Sequence, residues 1–351
     1  MTDDARIEHG DLAAALIAQM DQATWNRIGS LTLRNIEENR PFFGRGRSIA
    51  KLHKAPFGAG DSAIVVAAGP SVRHQNPIPK IRDANYRGGL VVTDSAMYNC
   101  LRNQVIPDLV VTVDPHHERM LRWFGDPGMS HESLEKDDYF RRQDLDDSFA
   151  REIQVNDQIM ALMREYGSQI RIALSVGSAP NLVRRVFEIG MDVFWWLPML
   201  DDPDSTDGIT ARLMAETGFP AINAGGNVGT SCWMIAEAIL EKKHVALVGI
   251  DFSYYENTPY RSTQYYYELS NIVGEENLGK AFVRIYNPYE KAWYYTDPAY
   301  MWYRNGFLDL ARIADCTTYN CTEGGILFGD GIQFIPLQDF LGRFSGKARG
   351  N

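Results

Sequence analysis

SAIVVAAGPS, residues 62–71, is the stretch on which the reading of this chain turns. Its run Ala63–Ala68 is short, apolar and without alternation, which is what a strand buried on both faces requires. The run breaks at Gly69-Pro70-Ser71. Outward from it, GLVVTDSA (89–96) and DLVVTVDPHH (108–117) repeat the pattern and end at Asp94 and Asp114. Between them SAMYNCLRNQVI (95–106) reads as a short helix. RIALSV (171–176) and MDVFWWLP (191–198) are further strands around a helix over 180–189. NAGGNVGTSCWMIAEAILEKK (223–243) is a Gly-rich loop entering a helix, and HVALVGIDFSYY (244–255) is a last buried strand ending at Asp251. Strand, helix, strand with continuous apolar strands predicts an α/β protein with a Rossmann-like, doubly wound, mostly parallel sheet.

Three regions flank or interrupt that domain, which is expected over 61–345. Residues 1–60 read as a helical N-terminal extension. Leu12, Leu16, Ile17, Met20, Trp25, Ile28, Leu31 and Ile36 recur at helical spacing, and GRGRSIAKLHKAPFGAGDS (44–62) follows as a connector. Residues 118–165 are charge-rich and read as an insertion of exposed helices or a lid. Residues 256–306 form an aromatic-rich C-terminal segment, with Tyr265, Tyr266, Tyr267, Trp293, Tyr294, Tyr295, Trp302 and Tyr303 among its rings. FLDLARIADC (307–316) then returns to helix.

Composition narrows the function classes. The 351 residues are 45% apolar and 23% charged, enough for a substantial core without disulfide staples. The formal net charge of -10 and the lack of any basic run exclude a general nucleic-acid backbone binder. Cys100, Cys232, Cys316 and Cys321 include no CxxC pair, so reduced thiols are expected and no zinc site is. The opening MTDDARIEHGDLAAALIAQM carries acids where a signal peptide carries positive charge, and no apolar run approaches the roughly 20 residues of a membrane span. A cytoplasmic protein is expected, able to form a homo-oligomer.

Ligands of open parallel sheets bind outside the carboxyl ends of the strands. Four motifs fall there: Gly69-Pro70-Ser71, Asp94-Ser95, Asp114-Pro115-His116 and Asp251-Phe252. A single Asp at a strand end can simply cap the next helix; four on one edge predict a pocket. Gly225, Gly226, Asn227, Gly229, Thr230 and Ser231 open a helix, where free N–H groups and the helix dipole favour a phosphate or carboxylate. The competing role for those glycines is close helix-to-sheet packing. The loop matches neither the dinucleotide fingerprint nor a P-loop. His116 is the histidine positioned for acid–base work. No resident metal is expected, although Asp94, Asp114 and Asp251 could hold Mg²⁺ together with ligand phosphates.

VVAAGPSV, VVTDSAMYNCLRNQVIPDLVVTVDPH, NAGGNVGTSCWMIAEAILEKKHVALVGIDFSY and YNCTEGG, in this order, resemble the central domain of the motility-associated-factor flagellin glycosyltransferases. The resemblance covers about residues 60 to 340 without the charged insertion. The superfamily is shared with 6-hydroxymethylpterin pyrophosphokinase-like proteins and bacterial CMP-sialic-acid sialyltransferases. It implies a nucleotide-activated small-molecule ligand. Gly69 and Ser71 would line the nucleotide site, Asp94 and Asp114 would contact ligand, and the loop Gly225–Ser231 would meet phosphate and sugar carboxylate. The chain departs from the sialyltransferases at Ala68, where they carry Asn, and in having no histidine after His244. Glu323, Asp114, His116 or Asp251 is then left to act as base. The expected activity is glycosyl transfer from a CMP-activated nonulosonic sugar, with no tightly bound cofactor and an acceptor left open. A diphosphokinase-like transferase using ATP and Mg²⁺ is the alternative, and a non-catalytic nucleotide-binding module is a third.

Overall fold

The computed structural model describes residues 6–345 except 54, 117–119, 131 and 133–148. In chain order its strands are β1 (Ile7–His9), β2 (Arg47–Ser48), β3 (Ser62–Val66), β4 (Gly89–Thr93), β5 (Leu109–Thr112), β6 (Arg171–Ser175) and β7 (Asp192–Pro198). There follow β8 (Ala221–Ile222), β9 (His244–Val248), β10 (Tyr254–Tyr255), β11 (Val283–Asn287), β12 (Ala292–Thr296), β13 (Thr317–Asn320) and β14 (Ile332–Phe334).

Ten of these form one sheet in the order β14-β13-β9-β3-β4-β5-β6-β7-β2, with β8 also paired to β7. Every pairing in it is parallel. The continuous apolar runs have the cause expected of them, because both faces are covered. Ile64 and Val66 of β3 pack with Ile78, Ile81, Met97 and Leu182 on one face. Ala63 and Val65 pack with Trp233, Ile235 and Phe307 on the other. Trp195 and Trp196, neighbours on β7, project into these opposite cores for the same period-two reason. Each fully buried Val or Ile stabilises by about 1.5–3 kcal/mol, so the central strands carry much of the fold's stability.

The N-terminal residues join both sheets. β2 pairs with β7 at the edge of the parallel sheet, and β1 pairs with β11. The helix Met20–Asn39 buries Ile36 in the main core. The aromatic-rich segment forms a second, antiparallel sheet, β1-β11-β12-β10, and leads into the helix Pro298–Ile313. Of the charge-rich stretch, the helix Phe149–Tyr166 is described, with Ile159 and Met163 in the core. The remainder of that expectation falls largely outside the described residues. The four cysteines are buried and unbridged.

Candidate functional site at the carboxyl rim

Parallel pairing puts all the strand carboxyl ends on one rim, and the order β13-β9-β3-β4-β5 sets their turns side by side. Glu323, Asp251, Ser71, Asp94 and Asp114 follow those five strands in turn. The chain runs β3 to β7 in one direction and then returns to lay β9 on the far side of β3. That reversal is a topological switch point, where open α/β sheets place ligands.

At the switch point itself, Asp251 closes a clamp on the Gly69-Pro70-Ser71 turn. Its Oδ1 accepts from the Ser71 N–H at 3.0 Å and its Oδ2 from the Ser71 hydroxyl at 2.8 Å. A Cβ on Gly69 would collide with the Asp251 carboxylate and lie 2.5 Å from the Gly249 carbonyl, so only glycine fits. Burial pushes the Asp251 carboxyl up to about 7, against the pull of the two Ser71 hydrogen bonds. Both oxygens are spent on Ser71, which makes Asp251 and Ser71 the fastener of the turn.

Glu323 is likewise engaged. Its Oε1 accepts from the Leu337 N–H at 3.0 Å, capping the helix Leu337–Phe344, and lies 4.0 Å from Lys80 Nζ. Its carbonyl accepts from Gln75 Nε2 at 2.9 Å. The residue sits at φ 52°, so the TEGG turn is held open by these bonds.

On the other side of β3 stand Asp94 and Asp114. Asp94 is 3% exposed; its Oδ1 accepts from the Ser95 N–H at 2.6 Å, whereas its Oδ2 has no hydrogen-bond partner. Ser95 also shares a 3.1 Å hydroxyl contact with Thr93, the cap of the following helix. Burial pushes the Asp94 carboxyl up to about 7; the nearby Thr112 hydroxyl and the Ser95 N–H oppose this, and the Asp114 charge adds to it. Thr112, whose buried hydroxyl has no other partner among the described residues, is the side chain that favours the charged form of Asp94.

Beyond the next strand, Asp114 Oδ1 accepts from the His116 backbone N–H at 2.9 Å and sits 2.7 Å from His116 Nδ1. The carboxylate fixes the ring and selects the tautomer with the proton on Nδ1, leaving Nε2 as an acceptor. Both side chains are partly exposed. This is the arrangement of a general base and its orienting carboxylate.

The Gly loop faces these residues. Asn223 Oδ1 accepts from the Gly225 N–H at 2.9 Å, and Gly225 and Gly226 take φ values of 54° and 76°, which favour glycine. Asn227 caps the helix Val228–Met234 by accepting from the Thr230 N–H at 2.9 Å; its amide donates to Thr230 Oγ1 at 2.8 Å. Ser231 donates to the Asn227 carbonyl at 3.0 Å. The helix continues through one π turn, Ile235–Ile239. Gly229 rests against Ile250 at the end of β9, and a Cβ on Gly226 would strike Trp302 and lie 2.7 Å from Tyr303. The packing role of these glycines is therefore real. The N–H groups of Val228 and Gly229, having no partner within the helix, remain at its positive end. Asp94's charge acts on Cys232 of this helix, and Asp114's on Tyr303. Gly loop, Asp94 and the Asp114–His116 pair thus stand on one side of β3 at the carboxyl rim, and Asp251 and Glu323 on the other.

Sequence reading overlooked one contributor, a pair of asparagines. Asn35 Nδ2 donates to the carbonyls of Pro115 and Gly177 at 2.8 and 3.0 Å, and Asn39 Nδ2 to those of Val176 and Ser178 at 3.0 and 2.7 Å. These side chains, one turn apart and wholly buried, clasp the helix Met20–Asn39 to the rim. The signal was present as two asparagines at i, i+4 beside the apolar Ile36. Tyr303, one of the rings of the aromatic-rich segment, has its hydroxyl 3.0 Å from that of Tyr265.

Two cavities, about 460 and 340 Å³, open at the opposite, amino rim around Asp108, Arg171 and Asp192 and around Tyr86, Arg87 and Gln104. Among the described residues no group of three or more His, Cys, Asp or Glu is placed to hold a metal, and no helix is long and apolar enough to cross a membrane.

No curated protein matches the sequence. Over the whole fold the chain is similar to a MAf glycosyltransferase from Magnetospirillum magneticum AMB-1, at 14% identity and a TM-score of 0.51. The likeness covers 87% of this chain and 38% of that one, so the chain spans well under half of that protein's length. Residues 32–126, from the clasped helix through the Asp114–His116 pair, match the family model described as 6-hydroxymethylpterin diphosphokinase MptE-like. The match over residues 32–126 agrees with the superfamily that the motifs resemble, and the chain shares the α/β fold of that glycosyltransferase.

Proposed function

We propose that the protein is a transferase that takes a nucleotide-activated small molecule at the carboxyl rim, with a CMP-activated nonulosonic sugar as donor. The observation that carries this reading is that unequal groups stand together on one rim of the sheet: helix-end N–H groups, a buried carboxyl, and an imidazole held by a carboxylate. The first suits a phosphate, the second a proton donor or ligand contact, the third a base.

In the proposed step, His116 Nε2 takes the proton of an acceptor hydroxyl while Asp114 steadies the ring. The acceptor oxygen forms its bond to the anomeric carbon as the bond from that carbon to the phosphate oxygen breaks. The leaving phosphate gathers charge beside the Val228 and Gly229 N–H groups. Asp94, with its carboxyl raised to about 7, is partly protonated at neutral pH and can donate from Oδ2 to that phosphate. Asp251 and Glu323, both tied into turns, support the rim.

The MptE-like match over 32–126 favours a second reading, diphosphate transfer from ATP with Mg²⁺ to a hydroxymethylated heterocycle. Thermal shifts with CMP, a CMP-sugar, ATP with Mg²⁺ and 6-hydroxymethylpterin separate the two, since a ligand stabilises by RT ln(1 + [L]/Kd). Metal-independent stabilisation by CMP compounds is the result expected. Stabilisation by ATP only when Mg²⁺ is present would move the assignment to the second reading, and no shift with any nucleotide would sink both.

A further inference from the structure

The turn that carries His116 is fixed torsion by torsion, and a side chain from another element supplies the last constraint. The ring of Pro115 holds its own φ at about −65° and disfavours helical backbone at Asp114 before it. What remains is ψ of Pro115, the rotation that sets the plane of the Pro115–His116 peptide. That plane is pinned at both ends. Its N–H, on His116, donates to Asp114 Oδ1 at 2.9 Å, and its carbonyl, on Pro115, accepts from Asn35 Nδ2 at 2.8 Å. Asp114 Oδ1 is the same oxygen that lies 2.7 Å from His116 Nδ1. Asn35, the peptide, Asp114 and the imidazole thus form one continuous line of polar contacts.

The far end of that line is anchored to a stiff turn. Asn35 Nδ2 also donates to the Gly177 carbonyl at 3.0 Å. The turn after β6 is tied internally: the Val176 N–H donates to the Trp196 carbonyl and the Ser178 N–H to the Ser175 carbonyl, both at 3.0 Å, and the Gly177 N–H to Ser175 Oγ at 3.2 Å. The helix Met20–Asn39 rests directly on it, since a Cβ on Gly177 would stand 2.6 Å from the Thr32 methyl. Asn35 therefore transmits the position of the β6 turn to the His116 turn. Its own Oδ1 is buried with no hydrogen-bond partner among the described residues. An apolar residue of like size would escape that penalty, so what asparagine adds here is the two-handed grip. Asn39 makes the contrast. Equally buried, with its Oδ1 also unpartnered, it holds the β6 turn through the carbonyls of Val176 and Ser178 and makes no hydrogen bond to the Asp114–His116 turn among the described residues.

We propose that Asn35 is a positioning residue for the His116 imidazole: by holding the Pro115 carbonyl it sets the peptide plane that seats Asp114 against the ring. Only the catalytic consequence rests on the transferase reading; the placement of the ring is measurable without it.

Imidazole ¹H–¹⁵N spectra of the unliganded protein at about pH 8, where a histidine is largely neutral, report which ring nitrogen carries the proton. The signal lost in His116→Ala identifies that residue. Wild type and Asn39→Ala should both show His116 protonated on Nδ1. Asn35→Ala should return the ring toward the tautomer mixture of an unrestrained histidine. Asn35→Leu, which fills the space without a donor, replaces it if the alanine variant does not fold. A wild-type His116 signal in the folded Asn35 variant, or an equal change in Asn39→Ala, overturns the proposal. Turnover of a CMP-sugar gives the second measurement. The Asn35 variant should lower kcat roughly 10- to 100-fold with the donor KM unchanged. Combined with His116→Ala it should be no slower than His116→Ala alone, because both changes remove one function; losses that multiply overturn the proposal. If wild type turns over no donor while the ring signal responds to Asn35 alone, the positioning role stands and the transferase reading falls. If turnover is present and the ring ignores Asn35, the reverse holds.

Discussion

The two rims of the parallel sheet handle buried charge in opposite ways. At the amino rim, Lys242 is 6% exposed, but its ammonium donates to the carbonyls of Phe57 and Gly60 at 2.6 and 2.9 Å, with Asp61 and Asp108 nearby. Asp108 in turn accepts from the Leu90 N–H at 2.8 Å. These two charges fasten neighbouring stretches of backbone. At the carboxyl rim, Asp94 keeps an oxygen with no hydrogen-bond partner among the described residues, and His116 is held through Nδ1. Two open cavities, about 460 and 340 Å³, lie at the amino rim. A polar group held without a partner costs stability, and that cost falls where a ligand can relieve it.

The sharpest break of this comparison is His116→Ala. Turnover of the donor should fall about 10²- to 10⁴-fold, with unfolding free energy within about 0.5 kcal/mol of wild type in a urea titration. A variant with full activity would remove the imidazole from the mechanism. Gly69→Ala comes next, because its Cβ has no space beside the Asp251 carboxylate and the Gly249 carbonyl. It should cost about 3–5 kcal/mol in the same titration and abolish the nucleotide-induced thermal shift.

The pH dependence follows. Asp94 and Asp251 are raised to about 7 and Asp297, also buried, to about 6. Each binds its proton more tightly folded than unfolded. Their contribution is therefore fully present below about pH 4 and is lost as pH rises through 6 to 7. Asp251→Asn retains an acceptor for the Ser71 N–H, so between pH 5 and 7.5 it should lose about 2 kcal/mol less stability than wild type. Identical slopes would mean that Asp251 ionises without penalty. Lys242→Met should cost about 2 kcal/mol by stranding two carbonyls, with the nucleotide shift unchanged. Gly60→Ala is the mildest: it has open space but φ 72°, and about 1 kcal/mol is expected.

How much of this was legible in the sequence depends on what each feature answers to. The runs at 63–68, 89–93, 109–112, 171–175 and 244–248 declared themselves because burial on both faces forbids polar residues. The order of strands did not, since it is set by how crossover helices pack. The short edge strands β2 and β14 also escaped, having three residues or fewer and no period to show. At the rim, Asp114 and His116 were adjacent enough to suggest a pair. The capture of Asp251 by Ser71 spans 180 positions, and that of Glu323 by the start of the helix Leu337–Phe344 depends on a turn at positive φ. Such partnerships are tertiary, and a residue's type alone does not reveal whether it is spent.

The asparagine clasp has a consequence for the order of assembly. Residues 20–39 leave the ribosome early, but the carbonyls gripped by Asn35 and Asn39 belong to positions 115 and 176–178. Until well over a hundred further residues have been made, this helix has no socket. The first stable nucleus of the growing chain must therefore form without it, and its docking serves as a late latch on a sheet already in place.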